Sequence, residues 1–326
     1  MRAARCLEYG PPANVVVVDI PDPEPGPGQA VVRVTAAAVN YPDALIVANR
    51  YQVSVPVPFT PGSEYAGHVH AVGPRVSGVR VGDRVTGGGM VGAFAEQVLA
   101  SADALTPIHD AVGDQAAAAF GVTYTTAYHA LVSVAGVQPG EWVLVLGAGG
   151  GVGSAAVEIA HVLGARVLAA ASSPEKLAVC QAMGADAVID YTTEDLKEQT
   201  KAITGGGADV VIDPVGGTFS EPALRACAWG GRFVCVGFAS GEIPRIPLNL
   251  VLLKGVKVEA FEFRGFATHS PEALARGNAA CRQLLIDGRL RPHIGEVYPL
   301  ARTADALADV LERRAMGKLV IDPTAG

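Results

Sequence analysis

One segment near the middle of the chain constrains the fold more strongly than any other. Residues 143–146 are four consecutive apolar residues, a pattern typical of a strand that is covered on both faces. Glycines follow at positions 147, 150 and 153, and residues 154–163 continue as a predicted helix. Only glycine lets a backbone both turn sharply and approach a ligand closely, and the N-terminus of the new helix attracts an anion. The segment therefore predicts a cradle for the pyrophosphate of a nucleotide, formed by Gly147, Gly150, Gly151, Val152 and Gly153.

The surrounding pattern makes this prediction specific. Ala148 stands where the usual G-x-G-x-x-G motif has its first glycine, so the glycines alone are weak evidence. A second apolar strand follows the helix at residues 166–171, which completes a β-α-β unit of the length that a dinucleotide fold requires. A tight strand-to-helix turn without a ligand is the alternative, and this context disfavours it.

The end of that second strand distinguishes between the two nicotinamide cofactors. A site for NAD places Asp or Glu there to accept a hydrogen bond from the ribose 2′-hydroxyl. This chain has Ser172, Ser173 and Lys176 instead, and its only nearby acid, Glu175, lies on the next predicted helix. Two hydroxyls and an ammonium can hold a 2′-phosphate, so the sequence predicts NADPH as the cofactor. Ser173 also suits a second role, as the cap of the helix that begins at Pro174.

Length and composition narrow the class of protein. The chain has 326 residues, of which 50% are hydrophobic and 17% charged, so it can bury the cores of two domains. A net charge of −7 argues against a nucleic-acid or anionic-membrane partner. The N-terminus shows no signal peptide, and no apolar stretch is long enough to span a bilayer. Five scattered cysteines suit free thiols, and together these features predict a soluble cytoplasmic protein.

Two patterns of predicted elements divide the chain. The first third is rich in strands that are separated by turn-forming residues. From residue 141 to residue 236 strands and helices alternate, which predicts an α/β fold with a doubly wound parallel sheet. Residues 256–263 are the candidate for its last strand. The tail adds two predicted helices and a final strand, which we expect to pack on the first domain, at residues 271–287, 303–315 and 318–322.

Short segments along nearly the full length carry a resemblance to a known family. They are residues 40–43, 58–67, 81–85, 122–131, 147–153, 184–191, 213–217 and 237–241. In these segments the chain resembles the zinc-independent NADPH:quinone oxidoreductases, the zeta-crystallin-like family of the medium-chain dehydrogenase/reductase superfamily. The resemblance implies a GroES-like, β-rich catalytic domain at residues 1–121 and 264–326, split around a Rossmann NADPH-binding domain at residues 122–263. It also implies that NADPH and substrate bind between the domains, and that a homodimer forms through the edges of the nucleotide-domain sheets.

Three positions depart from the zinc-dependent relatives in this superfamily. Those relatives bind a catalytic zinc through Cys, His and Cys, and the matching residues here are Asn40, Ser63 and Val122. Such a site needs thiolate or imidazole ligands, so we expect no metal. His68 and His70 share one face of a predicted strand and could chelate, but no third ligand is near in sequence, which favours a solvated strand face.

The expected chemistry follows from the missing zinc. Without a Lewis acid to polarise an alcohol or an aldehyde, the expected acceptor is already electron-poor, such as a quinone or a C=C bond conjugated to a carbonyl. These acceptors need alignment with the nicotinamide and a hydrogen bond to the oxygen that gains charge. The polar residues that the resemblance implies for this role are Asn40, Asp43, Tyr51 and Thr126. The alternatives are that Asn40 and Asp43 only organise the turn at Pro42, and that Tyr51 is a surface residue.

Further cofactor contacts are implied by the resemblance. We expect Lys176 and Tyr191 to reach the 2′-phosphate, although Tyr191 would equally suit a plain aromatic at a strand end. Val215 and Gly216 follow a predicted strand at its carboxyl end, where ligands gather in such sheets. His129 and His161 have the character of packing residues. Beyond the glycine cradle, the predicted contacts are Tyr41, Ser172, Ser173, Lys176, Tyr191, Val215, Gly216, Gly237, Phe238 and Phe263.

Three functional hypotheses follow from the sequence. The leading one is an NADPH-dependent, zinc-free reductase of quinones or similar electron-poor acceptors. The first alternative is an enoyl reductase that acts on α,β-unsaturated ketones or acyl-CoA thioesters, and the second is an NADPH-binding protein without catalytic activity. The expected partners are a small-molecule quinone or enone and a second copy of the chain, with no nucleic acid and no membrane.

Overall fold

The chain divides into two units in the computed structural model, which describes residues 1–325. The first unit is Met1–Val122 together with the described residues from Arg291 onward, and the second unit is Thr123–Leu290. Each unit has its own hydrophobic core. Along the sequence, the second unit therefore interrupts the first.

The first unit begins with a series of short strands. In chain order, its elements up to residue 122 are the strands β1 (Arg2–Cys6), β2 (Val15–Asp19), β3 (Gln29–Val39), β4 (Glu64–Val72), β5 (Arg84–Gly88), β6 (Gln97–Ser101) and β7 (Thr106–Pro107), and the helices α1 (Tyr41–Val47) and α2 (Asp114–Ala118). The predicted β-rich start of the chain is therefore confirmed.

The second unit alternates strands with helices. Its helices are α3 (Thr123–Tyr128), α4 (Gly151–Val162), α5 (Pro174–Ala182), α6 (Leu196–Thr204), α7 (Ser220–Ala226), α8 (Leu248–Lys254), α9 (Phe263–His269) and α10 (Pro271–Ile286). Its strands are β8 (Trp142–Leu146), β9 (Arg166–Ala171), β10 (Ala187–Asp190), β11 (Ala208–Asp213), β12 (Cys227–Cys235) and β13 (Lys257–Ala260). The chain then returns to the first unit with β14 (Ile294–Pro299), α11 (Thr303–Leu311) and β15 (Lys318–Asp322).

The central strand of the first unit is β3, in which eight of the eleven residues are buried, all of them Val or Ala. The main sheet has the order β14-β15-β3-β4-β5-β7, with β6 also paired to β3, and β1 pairs with β2 in a separate ribbon. The last strand, β15, lies antiparallel to β3, with Leu319 opposite Val39. This pairing brings the end of the chain beside residues near position 40.

The second unit contains the predicted parallel sheet. Its order is β10-β9-β8-β11-β12-β13, and every neighbouring pair is parallel. All five residues of β8 are buried, as expected for an apolar strand that is covered on both faces. From β8 the chain adds strands first on one side of the sheet (β9, β10) and then, from β11 onward, on the other. The switch point therefore lies between β8 and β11, and doubly wound sheets bind their ligands beside such a point. The predicted α/β fold class is confirmed.

The boundary between the units differs from the prediction at its second crossing. Residues 264–290 lie in the second unit, whereas the prediction assigned them to the first. Helix α10 packs there because Asn278 Oδ1 lies 3.1 Å from His129 Nε2 and the Cys281 thiol contacts the carbonyl oxygen of Tyr124. His129 is fully buried, in agreement with its predicted packing role.

The last strand of the parallel sheet is shorter than predicted. It ends at Ala260, and Phe263 is the first residue of α9 rather than the end of a strand. The Glu262 carboxylate accepts hydrogen bonds from the backbone N–H groups of Arg264 and Gly265 at 3.0 and 2.6 Å, and this cap starts the helix.

Two further observations concern the described residues. Within residues 1–325, no helix is both long and apolar enough to cross a membrane. The five cysteines are all free thiols, and four of them are buried. Their pattern matches the expectation of unpaired thiols.

Candidate functional site

The glycine turn after β8 has the backbone geometry that the sequence predicts. Gly147 has a φ of +56°, a conformation that glycine adopts readily. A Cβ atom on Gly153 would lie 2.2 Å from the carbonyl oxygen of Gly147, so helix α4 can approach the turn only with glycine at that position. Gly150 precedes α4, and among the described residues no side chain caps this helix. The first N–H groups of α4 are therefore available to an anion.

A second loop lies at the same edge of the sheet. Val215 and Gly216 follow β11, and β11 is the neighbour of β8. Because parallel strands end at the same edge, the glycine turn and this loop both lie at the carboxyl ends of the strands that flank the switch point. These two sets of predicted cofactor residues are thus on the same side of the sheet.

Asp213 shapes this second loop, and sequence reasoning did not assign it a role. Its carboxylate is buried, and Oδ1 accepts hydrogen bonds from the backbone N–H groups of Val215 and Gly216, both at 2.8 Å. Its Oδ2 accepts a hydrogen bond of 2.6 Å from the Ser220 hydroxyl. An acid at a strand end before a Pro-Val-Gly-Gly sequence is the signal that could have identified it.

The serines and the lysine after β9 lie together next to the glycine turn. The Ser173 hydroxyl accepts a hydrogen bond from the backbone N–H of Lys176 at 3.4 Å, so Ser173 caps α5 as the second predicted role proposed. The Lys176 ammonium donates to the Ser172 hydroxyl at 3.4 Å. A Cβ on Gly149 would lie 2.7 Å from the Cβ of Lys176, so the lysine stem runs directly over the turn. A hydroxyl and an ammonium are therefore next to the predicted pyrophosphate cradle.

Tyr191 follows β10 and packs against another ring. It is half-buried, and its ring centroid lies 4.5 Å from that of Phe219. The same edge of the sheet therefore carries Ser172, Lys176 and Tyr191 after adjacent strands. A contact between Tyr191 and a phosphate stays a prediction.

The remaining predicted cofactor residues are placed as follows. Phe238 packs against Gly216, because a Cβ atom added to Gly216 would lie 2.8 Å from the Phe238 ring. Gly237 donates its backbone N–H to the Asp213 carbonyl oxygen at 3.3 Å. Phe263 begins α9 and is 43% exposed. Tyr41, by contrast, is a half-buried residue of the first unit, where it begins α1.

Two predicted catalytic residues lie in a buried polar cluster of the first unit. Asn40 is only 4% exposed, and its Nδ2 donates to Glu64 Oε1 at 2.9 Å and to the Ser63 hydroxyl at 3.3 Å. Both amide hydrogens are therefore already donated within the protein. A hydrogen bond from Asn40 to a substrate stays a prediction, and it requires the loss of one of these two bonds.

Asp43 belongs to the same cluster. Its Oδ2 accepts a hydrogen bond of 2.8 Å from the backbone N–H of Asn40, which organises the start of α1 as the alternative prediction proposed. Within the described chain no group makes a hydrogen bond of good geometry to its Oδ1. Burial raises the pKa of Asp43 to about 7, although the Asn40 N–H, the Ser63 hydroxyl and the Lys318 ammonium favour the charged form. Asp43 can therefore hold a proton near neutral pH.

Lys318 completes the cluster and was not predicted. Its ammonium is buried, and it donates to the Val39 carbonyl oxygen at 3.1 Å, to Asn40 Oδ1 at 2.6 Å and to Glu64 Oε1 at 3.0 Å. Glu64 Oε2 accepts a further hydrogen bond of 2.8 Å from the backbone N–H of Val122. In the sequence, Lys318 is recognisable only as a lysine at the start of an apolar strand, and this pattern does not indicate which residues it contacts.

Two other predicted residues lie outside this cluster. Tyr51 is half-buried and packs against the hydrophobic core of the first unit. Thr126 is half-buried in α3 of the second unit. Their contact with substrate stays a prediction.

The histidines of β4 show no metal-binding geometry. His68 Nε2 lies 4.0 Å from Asp114 Oδ2, in a cluster with the Arg84 guanidinium. Over residues 1–325, no group of three or more His, Cys, Asp or Glu side chains is arranged to hold a metal ion. The partly exposed position of His68 agrees with its predicted place on a strand face.

Comparison with known proteins relates both units to one family. Residues 26–110 match the alcohol dehydrogenase GroES-like domain, and residues 151–277 match the zinc-binding dehydrogenase domain. The chain is 38% identical to the quinone oxidoreductase-like protein 2 homolog of Nematostella vectensis over 98% of this chain and 88% of that protein. It is similar to the structure of mycobacterial Rv1454c complexed with NADPH, with a TM-score of 0.90 and 31% identity over 99% and 100% of the two chains. It is also similar to the CurK enoyl reductase, with a TM-score of 0.86 and 27% identity over 98% of each chain.

Because one of the matched domains is a zinc-binding dehydrogenase domain, the chemistry of Asn40, Ser63 and Val122 decides whether this chain can bind zinc. The side chains of Asn40 and Ser63 offer an amide and a hydroxyl, and Val122 offers none. Tetrahedral zinc sites of this kind need thiolate or imidazole ligands. The Lys318 ammonium, 2.6 Å from Asn40 Oδ1, also places a positive charge inside the cluster. These residues do not fit a zinc ion.

Proposed function

Because the chain belongs to the quinone oxidoreductase family of the medium-chain dehydrogenase/reductase superfamily, we propose that it is an NADPH-dependent reductase of quinones or similarly electron-poor acceptors. The observation that carries the proposal is the placement of the Lys176 ammonium and the Ser172 hydroxyl beside the glycine turn, where no described side chain caps the start of α4. This arrangement suits a dinucleotide with a 2′-phosphate.

The residues of the second unit fit NADPH. The N–H groups at the start of α4 would hold the pyrophosphate, because no described side chain caps that helix. Lys176, Ser172 and Tyr191 would hold the 2′-phosphate, and Gly237 and Phe238 would line the nicotinamide ribose. Asp213 would keep the Val215–Gly216 loop in the shape that the cofactor meets, because it accepts both backbone N–H groups of that loop.

The reaction needs little from the protein besides binding and orientation. When bound, NADPH supplies a hydride for the acceptor. In the first unit, Asn40 and Asp43 are the proposed polar contacts for the acceptor oxygen that gains charge. The carboxyl of Asp43 can hold a proton near neutral pH, since burial raises its pKa to about 7. Zinc has no part in the proposed reaction, because the Asn40 cluster does not offer its ligands.

Enoyl reduction is the second candidate function. The similarity to the CurK enoyl reductase over nearly the whole chain favours it. The two reactions share the cofactor and the hydride transfer, and they differ in whether a quinone or a C=C bond conjugated to a carbonyl receives the hydride. The protein features that would separate them are the contacts to the acceptor rather than those to the cofactor.

A panel of acceptors tests these proposals. Purified protein is mixed with NADPH and phenanthrenequinone, benzoquinone, an enone or crotonyl-CoA, with and without a chelator, and NADPH oxidation is followed by absorbance. We expect turnover of a quinone that is unaffected by chelation. Preferred turnover of crotonyl-CoA would replace the first candidate with the second, loss of activity on chelation would contradict the zinc-free reaction, and no turnover with any acceptor would leave an NADPH-binding role.

We also propose that the protein is a homodimer formed through the edge strand β13. This strand ends the parallel sheet and leaves one side without a neighbour among the described strands. Large exposed apolar side chains stand on β13, on its neighbour β12 and on α8, the helix that precedes β13 in the chain. They are Trp229 (83% exposed), Leu248 (79%), Leu252 (81%), Leu253 (71%) and Val258 (50%). A second copy of the chain with the same edge would extend the sheet and cover these residues.

The oligomeric state in solution tests this proposal. Val258→Lys places a charge on the edge strand, and we expect light scattering coupled to size-exclusion chromatography to show a shift from dimer to monomer. Val81→Lys is the matched control, because Val81 is 60% exposed in the first unit and should leave the dimer intact. A wild-type protein that is monomeric at micromolar concentration would contradict the proposal.

A further inference from the structure

The buried Lys318 ammonium has a hydrogen-bond acceptor for each of its hydrogens. The three hydrogens of the ammonium match three acceptors, namely the Val39 carbonyl oxygen, Asn40 Oδ1 and Glu64 Oε1. Asn40 in turn donates both of its amide hydrogens, and Glu64 accepts hydrogen bonds with both of its oxygens. Lys318, Asn40 and Glu64 are thus joined by hydrogen bonds to one another, so the geometry of each of the three depends on the others.

The pairing of two distant strands creates this cluster. Leu319 of β15 lies opposite Val39 of β3, and the register brings Lys318 beside Asn40. Lys318 is 2% exposed, and the Glu64 carboxylate is the negative charge that its ammonium contacts. A buried ammonium fixes the dipoles around it strongly, since water does not screen it. Asn40 Oδ1 is therefore held toward Lys318, and Asn40 Nδ2 is held toward Ser63 and Glu64.

We propose that Lys318 is a positioning residue for the reduction: its buried ammonium sets the orientation of the Asn40 side-chain amide and of the Glu64 carboxylate. Lys318 does not contact the reacting atoms in this role. The inference rests on the proposed function in so far as Asn40 contacts the acceptor. The effect of Lys318 on the Asn40 side-chain amide can be measured without any reaction.

The first experiment separates positioning from simple stabilisation. Lys318→Met leaves Glu64 buried without its cation, which should lower the melting temperature as well as the activity. The double variant Glu64→Gln/Lys318→Met removes both charges, so we expect most of the melting temperature to return. In that double variant Asn40 Oδ1 has lost the Lys318 donor, which Glu64→Gln alone keeps. We expect kcat/KM for the acceptor to stay about 10- to 100-fold below that of Glu64→Gln while KM for NADPH changes less than about twofold.

A matched double variant controls for the loss of an ion pair in the same unit. Arg84→Met/Asp114→Asn removes the pair that joins β5 to α2, where the two side chains are 2.5 Å apart. We expect kcat/KM of this control to stay close to wild type. Recovery of kcat/KM together with melting temperature in Glu64→Gln/Lys318→Met would overturn the proposal, because Lys318 would then only stabilise the fold.

The second experiment observes Asn40 directly. The chain has five asparagines, so selective ¹⁵N labelling of their side chains gives a small set of amide signals, and Asn40→Ser identifies one of them. Relative to Glu64→Gln alone, we expect the Asn40 signal of the double variant to move and its hydrogens to exchange with water at least about tenfold faster, while the other four signals stay in place. An Asn40 signal with unchanged position and exchange rate would overturn the proposal.

The two experiments also separate this inference from the proposed function. If the wild-type protein reduces none of the acceptors, the proposed function fails and the amide signal alone decides whether Lys318 controls Asn40. If the wild type is active and the double variant matches it in kcat/KM, the inference about Lys318 fails and the proposed function stands.

Discussion

The glycine turn of the second unit and the Asn40 cluster of the first unit are built in opposite ways. The turn consists of backbone groups from residues within a few positions of one another, and its shape depends on the absence of side chains at Gly147 and Gly153. The cluster consists of buried side chains, and the hydrogen bond from Lys318 to Asn40 joins residues that are 278 positions apart. An anion site made of backbone can be read from a short segment of sequence, whereas a site made of distant side chains depends on how strands pair.

The largest expected effect tests the backbone side of this comparison. A Cβ on Gly153 would lie 2.2 Å from the Gly147 carbonyl oxygen, so Gly153→Val must displace α4 from the turn. We expect the dissociation constant for NADPH, measured by calorimetry, to rise at least about 100-fold. Gly206→Ala is the control, since a Cβ there meets nothing within 4 Å. Normal NADPH affinity in Gly153→Val would contradict the cradle.

A smaller effect tests the side-chain cluster through pH. Burial raises the pKa of Asp43 from 3.8 to about 7, so the folded protein keeps this proton in a pH range where the unfolded chain has lost it. The contribution of Asp43 to stability is therefore fully present below about pH 4 and is lost as the pH rises toward 7. Relative to Asp43→Asn, the free energy of unfolding of the wild type should fall by about 2 to 3 kcal/mol between about pH 5 and about pH 8, as measured by urea unfolding.

Asp114 provides the matched control for that measurement. Burial acts to raise its pKa, but the Thr35 hydroxyl and the Arg84 guanidinium together bring it below the usual value. Its stabilising charge is therefore lost only on acidification, and Asp114→Asn should cost the same free energy across this pH range. A constant difference between wild type and Asp43→Asn would show that Asp43 titrates normally.

The smallest expected effect concerns cofactor choice in the second unit. Lys176→Ala removes the ammonium that lies 3.4 Å from the Ser172 hydroxyl. We expect KM for NADPH to rise about 10- to 30-fold and KM for NADH to change less than about twofold, because only NADPH carries the 2′-phosphate. Lys197→Ala is the control, since Lys197 pairs with Glu198 on the surface of α6. Equal changes for the two cofactors would contradict the assignment of Lys176.

The comparison also explains which site residues sequence reasoning could find. Asp213 could have been identified from the sequence, because an acid at the end of a strand next to glycines indicates a structured loop. Glu64 and Lys318 could not be identified in this way, since neither belongs to a local sequence pattern that indicates its partner. The predicted position of Phe263 in the last strand was wrong because Glu262 caps a helix at that point. Residues 264–290 were assigned to the other unit because a helical pattern does not tell which core it covers.

The sequence by itself determined the α/β class, the parallel sheet, the glycine turn and the free thiols. These features depend on hydrophobic periodicity and on the conformations open to glycine, both of which act over a few neighbouring residues. The tertiary structure alone decided that Lys318 neutralises Glu64 beside Asn40 and that α10 packs on the second unit. Those outcomes depend on strand register and on the fit of side chains across a core, so the residues concerned become neighbours only when the chain has folded.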